Sequence, residues 1–204
     1  MKSIKTNIKK VFSSFKKHYR QIPLEIYAND SYKILISTLL SSRTKDEVTH
    51  KAADRLFQKA KTLEQLGQLE ITTIRTLIYP AGFYRTKAKH LKKLAKLILK
   101  DFDGKIPDTR EDLMKLPGVG RKTANLVLNR AYGAPAIAVD THVHKISNLL
   151  GWVKTKTPEE TEKRLTKIIP KKYWSDINRL FVSIGRQFTT QKKLVEFLKR
   201  EKLI

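Results

Sequence analysis

The segment from Leu116 to Gly120 carries two glycines separated by one residue, next to a proline and between two short helical patterns. Gly118 and Gly120 permit backbone conformations and close approaches that a Cβ atom would prevent. The amides of such a turn and of the following helix's first turn point outward. With the helix dipole they form a site for an anion such as a nucleic-acid phosphate, which binds backbone without reading base sequence. The alternative is a plain turn, and the adjacent Arg121 and Lys122 favour the phosphate site.

The overall charge also indicates a polyanionic partner. The 204 residues include 43 Lys+Arg and 19 Asp+Glu, which gives a formal net charge of +24 and an isoelectric point near 10.2. Such an excess favours nucleic acid or an anionic membrane surface over a neutral or acidic partner. The hydrophobic fraction of 40% is sufficient for a core and argues against a disordered chain.

Several kinds of site chemistry are excluded by residue type. The chain has no cysteine, so it has no disulfide framework, no thiol nucleophile and no thiolate ligand for zinc or an iron–sulfur cluster. His142 and His144 are two residues apart and do not share one face of a helix, which argues against a metal-binding pair.

The elements that position these residues are predicted to be helices. Apolar residues recur with helical spacing over Tyr32–Leu40, Thr44–Lys59 and Thr86–Phe102, and no strand alternation is found, so the predicted fold class is all-α. No apolar run approaches the roughly 18–20 residues that span a bilayer. The basic N-terminal segment lacks the apolar core of a signal peptide. We therefore expect a soluble, cytoplasmic protein.

Four segments resemble the signature motifs of the endonuclease III family, which are DNA base-excision glycosylases of the helix–hairpin–helix superfamily. The first two are Leu116–Asn129, which contains the glycine turn, and Ile137–His142. Supporting matches are Leu39–Asp46 and Ala81–Ala88. Because the spacings between the motifs also fit, the resemblance covers most of the chain.

The resemblance implies two helical lobes. One would be a six-helix barrel over residues 24–134, with the helix–hairpin–helix motif at about 111–130. The other would be a terminal helical domain formed by residues 1–23 and 135–204. DNA and the flipped base would occupy the cleft between the lobes.

The resemblance also implies that Lys122 and Asp140 carry the chemistry. Lys122 matches the family's Schiff-base lysine, whose neutral amine would attack C1′ of a flipped nucleotide, displace the base and permit β-elimination of the strand. Burial, Arg121 and the helix N-terminus would favour the neutral amine. Asp140 matches the catalytic aspartate, which would stabilise charge on the sugar or assist deprotonation of Lys122. Asp140 is also suited to be a helix N-cap, and both roles are compatible.

Further positions would contact DNA or line the base pocket. Arg43 stands where the family commonly has a glutamine that fills the gap left by the flipped nucleotide, and its guanidinium would suit guanine. Phe83 matches an apolar wedge that enters from the opposite side, with a core aromatic as the alternative. Asp46 and His142 match positions near the pocket, although Asp46 could simply support the helix starting at Thr44. The hairpin contacts would come from five residues, Leu116, Gly118, Val119, Gly120 and Arg121.

The C-terminal region departs from the family pattern. Most members hold a [4Fe-4S] cluster there, whereas Gly185–Gln191 contains no cysteine, so we expect neither the cluster nor another metal or cofactor. Lys192–Ile204 is predicted to form a helix in its place. Leu194, Phe197 and Leu198 would pack where the cluster braces the domain, and the opposite basic face would contact DNA.

These expectations describe a monomeric, metal-free DNA glycosylase with apurinic/apyrimidinic (AP) lyase activity. It would act, in the cytoplasm at the nucleoid, on double-stranded DNA with abasic sites or damaged bases such as oxidised pyrimidines. A glycosylase for thymine or uracil opposite guanine is a rival that suits Arg43 but not Lys122, which mismatch-specific relatives tend to lack. A non-catalytic DNA-binding module would need neither Lys122 nor Asp140. Scattered aromatics and helices with core faces oppose a membrane-surface protein.

Overall fold

The computed structural model describes residues 2–27 and 30–204, and the side chains of residues 2–6, 23 and 24 are not part of that description. These described residues are helical and contain no β-strand, which confirms the all-α prediction. They form twelve α-helices and two 3-10 helices, Pro23–Tyr27 and Lys171–Tyr173. The α-helices are α1 (Lys2–Lys17), α2 (Ser31–Ser41), α3 (Asp46–Lys59), α4 (Leu63–Gln68), α5 (Ile71–Ile78), α6 (Tyr84–Asp101), α7 (Arg110–Leu113), α8 (Arg121–Tyr132), α9 (Thr141–Leu149), α10 (Pro158–Ile168), α11 (Trp174–Gln187) and α12 (Gln191–Arg200). No helix in the described ranges has both the length and the apolar character needed to cross a membrane.

The chain divides into two compact units. The hairpin unit is Pro23–Ala134 and contains α2 to α8. The terminal unit combines Met1–Ile22 with Pro135–Ile204 and contains α1 and α9 to α12.

The hairpin unit is built around α2. Eight of the eleven α2 residues are buried, from Tyr32 to Leu40, because this helix is apolar on nearly every side and packs against both α3 and α8. Asp30 caps its N-terminus by accepting a hydrogen bond from the Lys33 amide at 2.9 Å. On the other side of the unit α6 packs against α4 and α5 through a stripe that includes Leu91, Leu94 and Ile98.

The terminal unit has an aromatic core. Phe12, Phe15 and Phe181 are almost fully buried, and the Phe181 ring contacts the other two at centroid distances of 6.1 Å to Phe12 and 5.0 Å to Phe15. The helix α12 adds Phe197, which stacks on Phe188 with a centroid distance of 4.4 Å. The predicted burial of its three apolar residues is confirmed, since Leu194, Phe197 and Leu198 are each at most 1% exposed.

Polar contacts also join the two ends of the chain within the terminal unit. Asn7 donates to the Leu203 carbonyl at 3.1 Å, and Ser14 donates to a carboxylate oxygen of Glu201 at 2.9 Å. Because α1 and α12 are about 190 residues apart in sequence, these bonds fix the last helix to the first.

Two helix starts differ from the predictions. The helix α3 begins at Asp46 rather than Thr44, because the Thr44 hydroxyl accepts bonds from the Gly82 amide and Lys87 Nζ instead of capping α3. The helix α6 begins at Tyr84, two residues before the predicted Thr86, after Phe83 in the left-handed conformation.

Candidate nucleic-acid interface

The glycine turn between α7 and α8 is attached to the hairpin unit by buried side chains, and its α8 end has no side-chain cap. Leu116 and Val119 are buried at 2% and 7% exposure, so they hold the turn on the hairpin unit and are not its outer surface. Arg110 Nε donates to the buried Asn125 side chain at 2.8 Å and ties the two helices together. No side chain caps α8 at Gly120, so the first-turn amides of α8, which lack intrahelical acceptors, are available to an anion.

The two glycines serve different purposes. Gly118 has φ +81, and a Cβ there would lie 2.6 Å from Nδ1 of His90, so this position requires glycine for both conformation and space. Gly120 has φ −94, a value open to any residue, and no heavy atom lies within 4 Å of a Cβ built on it. The empty space over Gly120 is where a phosphate could approach the backbone.

Lys122 occupies the first turn of α8, directly after the hairpin. Its side chain is exposed, so the expected burial of this amine is not found in the structure. Arg121, also exposed, precedes it. Lys122 therefore stands, solvent-accessible, in the same first turn whose amides are available to an anion.

Asp140 caps α9 in the terminal unit. Its Oδ1 accepts a hydrogen bond from the Val143 amide at 2.9 Å, which confirms the predicted N-cap. The side chain is half-buried, and within the described residues its other oxygen accepts no hydrogen bond. The cap therefore fixes the orientation of the carboxylate through Oδ1 and leaves Oδ2 able to accept another hydrogen bond.

The two predicted histidines have separate environments. His142 lies so close to Gly185 that a Cβ there would be 2.1 Å from Nδ1 of His142, and with Lys145 and Arg186 it lines a cavity of about 410 Å³ in the terminal unit. His144 Nδ1 is 2.6 Å from the hydroxyl of Thr161. In the described ranges no three His, Cys, Asp or Glu side chains are grouped to hold a metal ion.

The residues of the C-terminal region do not fit an iron–sulfur cluster. A cluster requires thiolates, and the chain contains no cysteine. The corresponding stretch is instead α12, whose apolar face is buried in the aromatic core.

Arg43 and Phe83 come together at one exposed tip of the hairpin unit. The Arg43 guanidinium lies 5.3 Å from the centroid of the Phe83 ring, in cation–π contact. Phe83 is 61% exposed, so the core-aromatic alternative is wrong. The two side chains are neighbours on one surface of the hairpin unit, and their entry into the duplex from opposite sides stays a prediction. Both have a left-handed backbone, with φ 51 at Arg43 and φ 57 at Phe83.

Asp46 is the first residue of α3 and is half-buried. An acidic residue in the first turn favours a helix through its dipole, which agrees with the supporting role considered for this residue. The N-cap itself is Lys45, which makes no side-chain capping bond.

Lys87 is a residue of this tip that the sequence reasoning missed. Only 9% exposed, it donates from Nζ to the carbonyls of Leu40 and Ser42 and to the hydroxyl of Thr44, at 2.7, 2.6 and 2.9 Å. Burial lowers the pKa of this ammonium group from 10.5 to about 8. A signal was present, because Lys87 falls on the buried α6 stripe, four and seven residues before Leu91 and Leu94.

A cavity of about 250 Å³ lies between the tip and the hairpin. Its walls include Phe83, Arg43 and Lys87 on one side and His90 and Gly118 on the other. The only charged or titratable side chains along it are cations or imidazole, so this surface is suited to an anionic ligand.

Comparison with known proteins gives a consistent family. A model of the HhH-GPD superfamily base excision DNA repair proteins matches residues 36–171. Endonuclease III of Thermotoga maritima is 46% identical over 168 residues, which are 82% of this chain and 79% of that protein. Endonuclease III-like protein 1 of Bos taurus is 45% identical over 159 residues, and this match covers 76% of the chain but only 52% of the longer bovine protein.

Solved structures with the same fold include DNA complexes. A trapped endonuclease III–DNA covalent intermediate superposes with a TM-score of 0.81 at 33% identity, covering 94% of this chain and 88% of that one. A thermostable thymine-DNA glycosylase superposes with a TM-score of 0.78 at 25% identity, covering 93% and 88%.

Proposed function

The chain belongs to the HhH-GPD superfamily of base excision DNA repair proteins, in which its relatives are endonucleases III, and we propose that Lys122 is its catalytic nucleophile. The protein is a DNA glycosylase with AP lyase activity. One observation carries the assignment of Lys122. Its amine is exposed on the first turn of α8, beside the hairpin amides that are open to a phosphate. A related endonuclease III has been trapped covalently on DNA, which is the outcome expected of a nucleophilic enzyme.

The hairpin holds the DNA backbone while the amine reacts. The neutral Nζ forms a bond to C1′ of the flipped nucleotide, and the bond from C1′ to the base breaks, so the base leaves with a proton. The sugar ring opens to an imine between Nζ and C1′. Loss of the C2′ proton then breaks the bond from C3′ to its oxygen and cuts the strand, and water releases Lys122 from the imine.

Asp140 would serve this reaction with the oxygen that is not used in the α9 cap. A carboxylate held in one orientation can stabilise positive charge on the opening sugar or accept a proton from the attacking amine. Its cap bond to the Val143 amide supplies that rigidity without another element.

The substrates we propose are duplexes with oxidised pyrimidines, such as thymine glycol, or with abasic sites. Exposed Arg43 and Phe83 would enter the duplex at the gap left by the flipped nucleotide, and the guanidinium would bind acceptors of the opposite base. A second candidate is removal of thymine or uracil opposite guanine. It is favoured by the structural similarity to a thymine-DNA glycosylase and by the guanine acceptors that suit Arg43.

Borohydride trapping tests the nucleophile. Duplexes carrying thymine glycol, an abasic site, or thymine or uracil opposite guanine are incubated with the intact protein, Lys122→Ala and the matched control Arg121→Ala. We expect an adduct with the intact protein, no adduct with Lys122→Ala, and an adduct with Arg121→Ala once its weaker binding is saturated. An adduct that survives in Lys122→Ala would rule out this residue. Of the duplexes that still carry the base, the one that traps fastest decides between the two candidate activities.

Unfolding and turnover of two variants separate the two roles of Asp140. Asparagine caps helices about as well as aspartate, whereas alanine loses about 0.5–2 kcal/mol of stability. Asp140→Asn should therefore unfold like the intact protein and lose turnover by about 100-fold or more, in the range of general acid–base catalysis. If Asp140→Asn retained full turnover while Asp140→Ala did not, the residue would be a cap only.

A further inference from the structure

Lys87 holds a buried positive charge that has no carboxylate partner among the residues the structure describes. Its three bonds go to two carbonyl oxygens and one hydroxyl, and the adjoining cavity presents Arg43 and His90 but no acidic side chain. Burying a lysine is unfavourable unless its donors are satisfied, and an apolar residue would fill this core position at lower cost. The specific arrangement of the three acceptors therefore requires a reason other than packing.

The acceptors all belong to the segment that presents Arg43. The Leu40 carbonyl is among the last of α2, which have no intrahelical donor, and a cation there is favoured by the helix dipole. The Ser42 carbonyl belongs to the peptide that joins Ser42 to Arg43. Lys87 thus fixes the backbone directly before Arg43.

Thr44 extends this contact to the segment that presents Phe83. Its hydroxyl, which accepts from Lys87, also accepts from the Gly82 amide at 3.0 Å and lies 3.2 Å from the Ser42 carbonyl. A Cβ on Gly82 would come within 2.2 Å of the Arg43 carbonyl oxygen, so the two segments are in direct backbone contact. Gly82, which precedes Phe83, is therefore joined to Ser42 and Thr44, on either side of Arg43, through one hydroxyl and one ammonium group.

The residues that this network presents are held in disfavoured conformations. Arg43 and Phe83 have positive φ values, which L-residues adopt reluctantly, and both side chains are exposed. Such backbone outliers persist only where surrounding contacts determine them, and they concentrate at functional sites. The bonds of Lys87, Thr44 and Gly82 are the contacts that determine them here.

We propose that Lys87 is a positioning residue that presents Arg43 and Phe83 to DNA as one preformed pair. The proposal rests on the role given to Arg43 and Phe83 in the proposed function. A pair that is already ordered loses little conformational freedom when it enters the space left by a missing or flipped base. Binding to a duplex with such a space is therefore strengthened relative to binding to an intact duplex. Lys87 itself does not touch DNA in this role and acts through the Arg43 backbone.

The test measures gap preference, defined as the dissociation constant for an intact duplex divided by that for the same duplex with a tetrahydrofuran abasic analogue. General damage to the fold weakens both complexes alike and leaves this ratio unchanged. The variants are Lys87→Met, Arg43→Ala and their combination. Lys96→Met is the matched control, since it removes the same charge from an exposed position on α6. Fluorescence of 2-aminopurine opposite the analogue reports insertion directly.

We expect Lys87→Met and Arg43→Ala each to lower gap preference by about 10-fold, and the double variant to fall no further, because coupled residues are not additive. Lys96→Met should match the intact protein. If Lys87→Met does not fold, Thr44→Val breaks the same network and Thr44→Ser restores its hydroxyl, and only the former should lower gap preference.

Three results would overturn the proposal. The first is unchanged gap preference in a folded Lys87→Met variant, and the second is unchanged gap preference in Arg43→Ala. The third is a loss in Lys87→Met that persists undiminished in the Arg43→Ala background. The readout needs no catalysis, so an intact protein that inserts with this coupling but traps on no lesion would refute the proposed function and leave the positioning role standing. Conversely, an intact protein that traps on a lesion, with additive effects of Lys87→Met and Arg43→Ala on gap preference, would support the proposed function and refute the positioning role.

Discussion

The C-terminal helix α12 and the Arg43–Phe83 tip are held in place by different interactions. The helix buries a periodic apolar face, with Leu194, Phe197 and Leu198 almost fully enclosed. The tip exposes an aromatic ring and a guanidinium on left-handed backbone. Hydrophobic burial stabilises the first, whereas the second is held by polar bonds between residues 38 to 47 positions apart in sequence.

The difference separates a region that stabilises the fold from the region to which we assign DNA recognition. The terminal unit, which has no thiolates for a cluster, gains its bracing from aromatic packing between its first and last helices. The tip in the hairpin unit keeps strained, exposed residues that a purely stabilising sequence would avoid. We therefore expect substitutions in α12 to change unfolding and substitutions at the tip to change DNA binding.

The largest effect should come from Phe197→Ala. Truncation of a fully buried phenylalanine removes its transfer energy and leaves a cavity, which destabilises by about 3–5 kcal/mol. Urea unfolding should show this loss, while the gap preference of the folded fraction at low temperature stays unchanged. Lys199→Ala, an exposed change on the same helix, is the control. A loss below about 1 kcal/mol for Phe197→Ala would mean that α12 contributes little to the stability of the terminal unit.

The same contrast explains what the sequence could predict. The burial of α12 followed from helical periodicity, which is a local signal, and Asp140 was identified as a cap from its place before a helical pattern. Arg43 and Phe83 were identified only through family resemblance, and their mutual contact was not foreseen. Their contact depends on Gly82, Thr44 and Lys87, whose meeting no local pattern encodes.

One wrong prediction and one missed residue each have a physical reason. Burial of Lys122 was expected from the needs of its chemistry, yet the amine is exposed, since chemical need is not a folding signal. Lys87 was passed over although it lies on the α6 stripe, because a lysine in a stripe usually extends to solvent along its aliphatic stem. Only the positions of its three acceptors distinguish it.

The two hairpin glycines give an intermediate effect. Gly118→Ala places a Cβ at φ +81 and beside His90, so we expect a loss of about 1–2 kcal/mol in unfolding free energy together with weaker DNA binding. Gly120→Ala has allowed φ and open space, so its stability should be unchanged or raised by about 0.4–1 kcal/mol. Its Cβ would still obstruct the phosphate. If Gly120→Ala bound an abasic-analogue duplex as tightly as the intact protein does, the assignment of a phosphate to this position would be wrong.

The smallest effect is a pH dependence that should have opposite signs for stability and for insertion. Burial lowers the pKa of Lys87 from 10.5 to about 8, so between these values the unfolded chain binds more protons than the folded one. The unfolding free energy contributed by this residue therefore rises with pH over that interval. The neutral amine, however, has two hydrogens for its three acceptors, which loosens the Arg43 backbone and lowers gap preference.

This dependence is measured as the difference between the intact protein and Lys87→Met, so that other titrating groups cancel. The other cationic or titratable groups along the adjacent cavity, Arg43 and His90, are common to both proteins. From about pH 7 to about pH 10, the intact protein should gain unfolding free energy relative to the variant while its advantage in gap preference declines. If both quantities fell together, the loss of insertion would follow from general unfolding, and the tip would not be the separately held element that its contrast with α12 implies.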